Sequence, residues 1–167
     1  ESLEDTLEPL AENLSISGFQ TLFETEIAPS AGFDASLEEL LHLITENGYA
    51  YAYSDIFGEQ TGTSIANAMD IARGGQFLTT PSSYPLTAWY TYDDSSCNYA
   101  CMVTEYFYWG LTSILGAQEN RPSDINHEWQ LHTRSLVQTR DTNLYSLLTN
   151  SEYALPTTLP DGSYSAN

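Results

Sequence analysis

Residues 36–48 of the chain read SLEELLHLITENG, and this stretch decides how the rest of the sequence is interpreted. Apolar side chains recur in it at three- and four-residue spacing, at Leu37, Leu40, Leu41 and Ile44. This spacing predicts an amphipathic helix that buries those four side chains. Ser36 followed by Glu39 predicts a capping box at the start of the helix, and Gly48 predicts its end.

The same helix carries side chains that bind metals. Glu38 and His42 are four residues apart, so they lie one turn apart on the same face of the helix, with Glu39 between them. Pairs with this spacing hold one ion in zinc proteases. A purely structural interpretation is also open, in which the two glutamates favour the positive end of the helix and His42 pairs with Glu38.

A second unusual carboxylate lies far along the chain. Residues 98–115 are apolar on nearly every face, which predicts a helix buried on all sides and ended by Gly116. Glu105 lies in the middle of this stretch. A carboxylate buried there needs a metal, a cation or hydrogen-bond donors, because burying it without a partner costs several kcal/mol.

Taken together, Glu38, Glu39, His42 and Glu105 resemble the gluzincin family of zinc metallopeptidases, with Glu-Glu-x-x-His in place of His-Glu-x-x-His. The resemblance implies that His42 is the second ligand of the motif helix, that Glu105 is the downstream ligand, and that Glu38 takes the place of the first histidine. It also implies that Glu39 is the general base of a peptidase.

The resemblance implies a metal and a tyrosine as well. The family binds zinc, but two carboxylates and one histidine form a harder and less zinc-selective ligand set, so manganese, iron or calcium are alternatives and the site could equally hold no metal. In the family a tyrosine stabilises the transition state, and either Tyr99 or Tyr108 could take that role here.

The predicted fold class is mainly α, in a single compact zincin-like domain over residues 1–155, with residues 156–167 as a loop or flexible tail. A small strand element, which would make the fold α+β, is the alternative. Besides the two helices above, helices are predicted at residues 3–14, 64–73, 122–137 and 143–148, and an extended segment at residues 16–27.

Charge excludes several classes of partner. The chain has 167 residues and a formal net charge of −19, with four arginines and no lysine. Nucleic acids and anionic membrane surfaces repel such a protein, whereas cations and protein or basic peptide partners suit it. No run of eighteen apolar residues occurs in the sequence, so no membrane insertion is expected. The oligomeric state is left open.

Two further features bear on site and compartment. Cys97 and Cys101 form a local disulfide if Cys97 precedes the helix, and otherwise stay free thiols. His127 and His132 are five residues apart and so do not converge on one ion, whereas Glu128 and His132 are predicted to form a surface pair.

The function predicted from these residues is that of a secreted, acidic protein on a degenerate zincin-like scaffold. It would be a metal-binding pseudoenzyme in which peptidase activity is doubtful. The chain begins at Glu1 without methionine, which fits either a processed secreted product or a chain trimmed at its start. The alternative is a non-catalytic structural or interaction module of a secreted or surface assembly.

Overall fold

The computed structural model describes residues 33–161, together with Leu22 and Ile27. The helix predicted at residues 3–14, most of the extended segment at 16–27 and the last six residues of the tail lie outside the described residues.

The described residues are mainly helical, as predicted. No sheet forms among them, and strand pairing is limited to two isolated antiparallel bridges, Thr79 with Asn98 and Tyr90 with Trp129. A π-helical turn, Thr45–Tyr49, and a 3-10 turn, Ser151–Tyr153, accompany the α-helices. The α-helices in chain order are α1 Ser36–Ile44, α2 Ala50–Ala52, α3 Ser54–Phe57, α4 Ser64–Arg73, α5 Tyr99–Leu115, α6 Pro122–Ile125, α7 Arg134–Arg140 and α8 Thr142–Leu148.

Helix α5 is the centre of the molecule, and its predicted position is confirmed. The Asn98 side chain caps its start by accepting a hydrogen bond from the Cys101 N–H at 3.1 Å. Gly116 ends it with a φ of 91°, a left-handed conformation that favours glycine. Helices α1, α4, α7 and α8 pack around it, which explains why its sequence is apolar on nearly every face.

Helix α4 begins and ends as predicted, and α8 lies within one residue of its predicted start. The close approach of α8 to α5 requires a glycine. A Cβ atom at Gly110 would lie 2.5 Å from the Leu144 Cδ2 atom and 2.9 Å from the Leu148 Cδ1 atom.

Helix α1 begins at Ser36, within the predicted stretch, but the predicted capping box and the predicted end at Gly48 are wrong. Its N-cap residue is Ala35, and no side-chain cap hydrogen bond forms. The Ser36 N–H donates to the Asp34 carboxylate at 2.9 Å, so Ser36 and Glu39 do not form the predicted capping box. Gly48 does not end the helix. The chain continues through the π-helical turn into α2, so helical backbone extends to Ala52.

The predicted burial of α1 is also wrong. Leu40 and Ile44 are 54% and 46% exposed, whereas His42 and Thr45 are 7% and 5% exposed. Helix α1 therefore buries His42 against α5, while Leu41 is only partly buried against the core and Leu40 and Ile44 point outwards. The reason lies on α5 and around it, where carboxyl and hydroxyl groups provide the polar environment that His42 needs.

The single helix predicted at residues 122–137 is two short helices. Helix α6 ends at Ile125, and α7 begins after Thr133, whose hydroxyl accepts from the Leu136 N–H at 3.2 Å. The turn between them buries Trp129 in the core. Because this segment is not helical, the predicted pair of Glu128 with His132 does not form, and Glu128 lies 3.5 Å from His127 instead.

A disulfide joins Cys97 to Cys101, which decides between the two alternatives left open by the sequence. Cys97 precedes the N-cap residue of α5, so the two side chains are not both held in regular helix, and their Cα atoms are 5.5 Å apart. Among the described residues, no helix is both long enough and apolar enough to cross a membrane.

Candidate metal centre

The three residues predicted as metal ligands meet where α1 packs against α5. Glu38 and His42 lie one turn apart on the inner face of α1, and Glu105 lies opposite them in the middle of α5. Each offers one ligand atom, and these atoms all lie within 4.8 Å of one another. Residues 67 positions apart in the chain are thus brought together by the contact between two helices.

The histidine points one ring nitrogen at each of two glutamates. The Nε2 atom of His42 lies 3.7 Å from the Glu105 Oε2 atom, and its Nδ1 atom lies 3.7 Å from the Glu39 Oε2 atom. Two ligands of one tetrahedral ion, each about 2.0–2.2 Å from it, are about 3.3–3.6 Å apart. The distance between His42 and Glu105 is close to that value and too long for a hydrogen bond.

The Nε2 atom of His42 is buried and has no hydrogen-bond partner. Burial lowers the pKa of His42 to about 4, so the imidazole is neutral at pH 7 and its two 3.7 Å contacts are not ion pairs. The neutral imidazole is the form that binds metals. A buried polar atom without a partner is rare in folded proteins and needs an explanation.

Both clustered carboxyl groups bind protons more tightly than usual. Burial, followed by the neighbouring charge of Glu38, raises the pKa of Glu105 to about 8. Burial raises the pKa of Glu38 to about 7, although a hydrogen bond from Tyr108 opposes this rise. Ionising both carboxyl groups costs free energy because they are buried and close together, and a divalent cation between them would offset that cost.

Tyrosine hydroxyls hold the two carboxylates in place. Tyr92 donates to the Oε1 atom of Glu105 at 3.2 Å, which leaves the Oε2 atom facing His42. Tyr108 forms a hydrogen bond with Glu38. The side chain of Gln118 donates to the Tyr108 hydroxyl at 3.3 Å, so the tyrosine proton is directed to the carboxylate. Such outer contacts orient ligands in metal sites.

No basic side chain neutralises these carboxylates within residues 33–161. All four arginines of the chain lie in that range, and none forms an ion pair with Glu38 or Glu105. Arg121 is near enough to lower the pKa of Glu38, but its ion-pair partner is Asp124 at 3.9 Å. A direct arginine partner for Glu105, which would support a purely structural cluster, is therefore absent from this part of the chain.

The structure separates the two candidate tyrosines. The ring of Tyr108 lies 5.7 Å from the ring of His42, centroid to centroid, in an edge-to-face arrangement. Tyr99 lies elsewhere, and its hydroxyl donates to Asp70 at 3.0 Å. Glu39 is adjacent to the cluster but on the Nδ1 side of the histidine, away from Glu105.

Two residues at the site were missed by reasoning from the sequence, namely Tyr92 and Gln118. Tyr92 precedes Glu105 by thirteen residues and Gln118 follows Tyr108 by ten. Neither separation corresponds to a helical or strand repeat, so no local pattern signals these contacts.

Comparison with known proteins gave no match, since no family model fits the chain and no curated protein or solved structure is significantly similar to it. The zincin-like scaffold therefore stays a prediction.

Proposed function

We propose that this protein binds one divalent metal ion through His42, Glu38 and Glu105. The observation that supports this most directly is the Nε2 atom of His42, which is buried, neutral and without a hydrogen-bond partner, 3.7 Å from a carboxylate oxygen. Leaving a buried polar group unsatisfied costs about 1–3 kcal/mol. A metal removes that cost and also neutralises the two glutamates.

The ligand set indicates which metals fit. One imidazole nitrogen and two carboxylate oxygens suit zinc, manganese or iron, the metals that accept mixed nitrogen and oxygen ligands. Calcium fits less well, because it prefers six to eight oxygen ligands and the cluster includes a histidine. We therefore place zinc first, with manganese and iron as alternatives.

The position of Glu39 supports a non-catalytic role. A general base must face the side of the metal where the substrate binds, whereas Glu39 lies beside the Nδ1 atom of His42 and not beside the Nε2 atom that faces Glu105. A carboxylate in that position fixes the tautomer and orientation of a metal-binding histidine. We therefore propose a pseudoenzyme, in which the metal stabilises the contact between α1 and α5, rather than a peptidase.

Metal titration tests the proposal. The purified protein is treated with chelator, dialysed and titrated with zinc and manganese, with bound metal counted by mass spectrometry. One ion per chain is expected. The variants His42→Gln and Glu105→Gln should not bind the ion. The control variants His127→Gln and Glu119→Gln change exposed side chains and should still bind one ion per chain. Far-ultraviolet circular dichroism checks that each variant is folded, and full binding by folded Glu105→Gln would refute the proposal.

The alternative function, a structural or interaction module without metal, is favoured by one observation. The raised pKa values of Glu38 and Glu105 allow protons to neutralise the pair at pH 7 in place of a metal. Under this alternative the titration gives no stoichiometric binding for the natural sequence, and the His42 and Glu105 variants do not differ from their controls.

Secretion is a further part of the proposal. The disulfide between Cys97 and Cys101 supports it, because disulfides persist mainly in oxidising compartments.

A further inference from the structure

A cavity of about 400 Å³ lies at one end of the helix bundle, away from the metal-binding cluster. It opens to solvent and is lined by residues from the end of α5, the start of α7, the end of α8 and the segment 149–157. Its apolar walls are formed by Ile114, Leu115, Leu148 and Leu155. One charged side chain, Arg134, also lines it.

Arg134 lacks an acidic partner among the described residues, although the chain has 23 acidic residues and only four arginines. Its guanidinium donates one hydrogen bond, to the Ile114 carbonyl at 3.4 Å, and lies 5.4 Å from the centroid of the Tyr145 ring. A guanidinium carries five N–H donors, so most of them stay available at the cavity wall. The group that these donors recognise best is a carboxylate or another planar anion.

The cavity borders an apolar groove. The two share Leu115 and Pro156 in their walls. Beyond them the groove follows the outer face of α1, where Leu40 and Ile44 are about half exposed. The rest of its walls are almost entirely apolar, at Leu37, Leu41, Leu111, Leu159 and Pro160. This groove follows the face of α1 that the sequence predicts to be buried, and within residues 33–161 Leu40 and Ile44 of that face stay about half exposed.

We propose that this protein binds a fatty-acid-like monocarboxylate in the cavity and groove. The carboxylate contacts the guanidinium of Arg134, and the alkyl chain passes Leu115 and Pro156 to cover the exposed leucines of α1. The positive charge of Arg134 and the apolar surface of the groove together favour a ligand that has both a carboxylate and an alkyl chain. A short anion would leave the groove exposed, and a neutral apolar molecule would leave Arg134 without its anion.

A second copy of the chain fits the groove poorly. Each copy carries a formal charge of −19, so association through this face brings two strongly acidic molecules together. One small monocarboxylate adds a single negative charge, next to the one arginine that lines the cavity.

Calorimetric titration of the full chain with decanoate tests the proposal. Chelator is present throughout, so that no metal offers a competing site for the carboxylate, and the result is independent of the proposed metal binding. One decanoate per chain is expected. Arg134→Gln should weaken binding by about tenfold or more, since it removes the charged donor. Arg140→Gln is the matched control, because Arg140 is also exposed and donates to a backbone carbonyl, that of Thr87, but does not line the cavity.

Chain length tests the groove separately from the cavity. Decanoate should bind about tenfold or more tightly than hexanoate, because the longer chain buries more apolar surface. Leu40→Gln should reduce that difference without affecting hexanoate. Leu40 is more than half exposed, so this variant is expected to fold.

Three results would overturn the proposal. They are the absence of saturable decanoate binding, equal binding by the natural sequence and Arg134→Gln, and binding of 1-decanol as tight as that of decanoate. None of these results affects the metal titration, so the two proposals fail separately.

Discussion

A metal binds the unprotonated form of each of the three clustered side chains, but they are not all in that form at pH 7. His42 is already neutral at pH 7, which is the metal-binding form, whereas the raised pKa values of Glu38 and Glu105 keep protons on groups that must ionise. Protons and metal therefore compete for the two carboxylates but not for the histidine.

The metal-free protein should lose stability as the pH rises. A carboxyl group whose pKa is raised in the folded state contributes stability below its unfolded pKa, and this contribution is lost as the pH passes the folded value. From pH 6.5 to 8.5 the free energy of unfolding in chelator should fall by on the order of 2 kcal/mol, because Glu38 and Glu105 must ionise while buried. Urea denaturation at the two pH values measures this fall.

The control for this prediction is Glu105→Gln. Glutamine does not titrate, so the variant should lose most of the pH dependence. Lowering the pKa of His42 adds a small rise in stability just above pH 6.5, where the unfolded imidazole loses its proton, and this rise is common to the natural sequence and the variant, so it cancels in the comparison. A free energy of unfolding that rises between pH 6.5 and 8.5 would contradict the assignment.

Glu39→Gln distinguishes an orienting carboxylate from a general base. If Glu39 orients the histidine, its loss should weaken zinc binding by about 10- to 100-fold while one ion per chain still binds at saturation. A base that acts only on substrate would leave the zinc affinity unchanged. Competition against a zinc-binding dye measures the affinity, with Glu119→Gln as the charge-matched control on an exposed side chain.

At the same scale, only part of the site was predictable from the sequence. Glu105 was found because a carboxylate in an apolar helix needs a partner, and His42 with Glu38 because their spacing places them on one helix face. The side of the histidine on which Glu39 lies was not predictable, because it depends on how α1 is rotated against α5.

At the scale of helices, the ends at Gly74 and Gly116 were predictable, whereas the buried face of α1 was not. Gly74 and Gly116 end α4 and α5 in left-handed conformations, which is a local property of glycine. The buried face of α1 was predicted wrongly because four leucine and isoleucine positions outweighed the polar face in the pattern. That polar face is buried only because α5 offers polar groups opposite it, and no local pattern reveals this.

The contact between α5 and α8 leads to a prediction about Gly110. Alanine there would improve helix propensity by up to about 1 kcal/mol, but its Cβ atom would collide with the buried Leu144 side chain. Overpacking of a core costs about 1–3 kcal/mol, so Gly110→Ala should destabilise the protein by about 1 kcal/mol net.

Thermal denaturation followed by circular dichroism measures that change. Gly48→Ala is the control, because a Cβ atom at Gly48 meets no atom within 4 Å and the residue lies in helical backbone. It should leave stability unchanged or raise it. A Gly110→Ala variant as stable as the natural sequence would show that α8 can move away from α5.

At the scale of the whole molecule, the dominant property is the charge of −19. Like charges on a compact surface repel one another and favour expanded states. Salt shortens the range of this repulsion, from about 30 Å at 0.01 M to about 3 Å at 1 M. Stability should therefore depend on ionic strength, even without specific ion binding.

Raising sodium chloride from 0.01 M to 0.5 M, with chelator present, should raise the melting temperature by on the order of 5 °C. Choline chloride at equal concentration should have the same effect, since screening does not depend on the size of the cation. A larger effect of sodium than of choline would indicate a specific sodium site rather than screening.

Helix α1 carries the proposed metal ligands on one side and the walls of the apolar groove on the other. If both proposed ligands bind, this nine-residue helix contacts each of them and links the two binding equilibria. The coupling is then reciprocal. If metal binding changes the affinity for a groove ligand by some factor, binding of that ligand changes the affinity for the metal by the same factor. The reversed burial of α1 thus makes heterotropic cooperativity available to a small helical protein without any movement of domains.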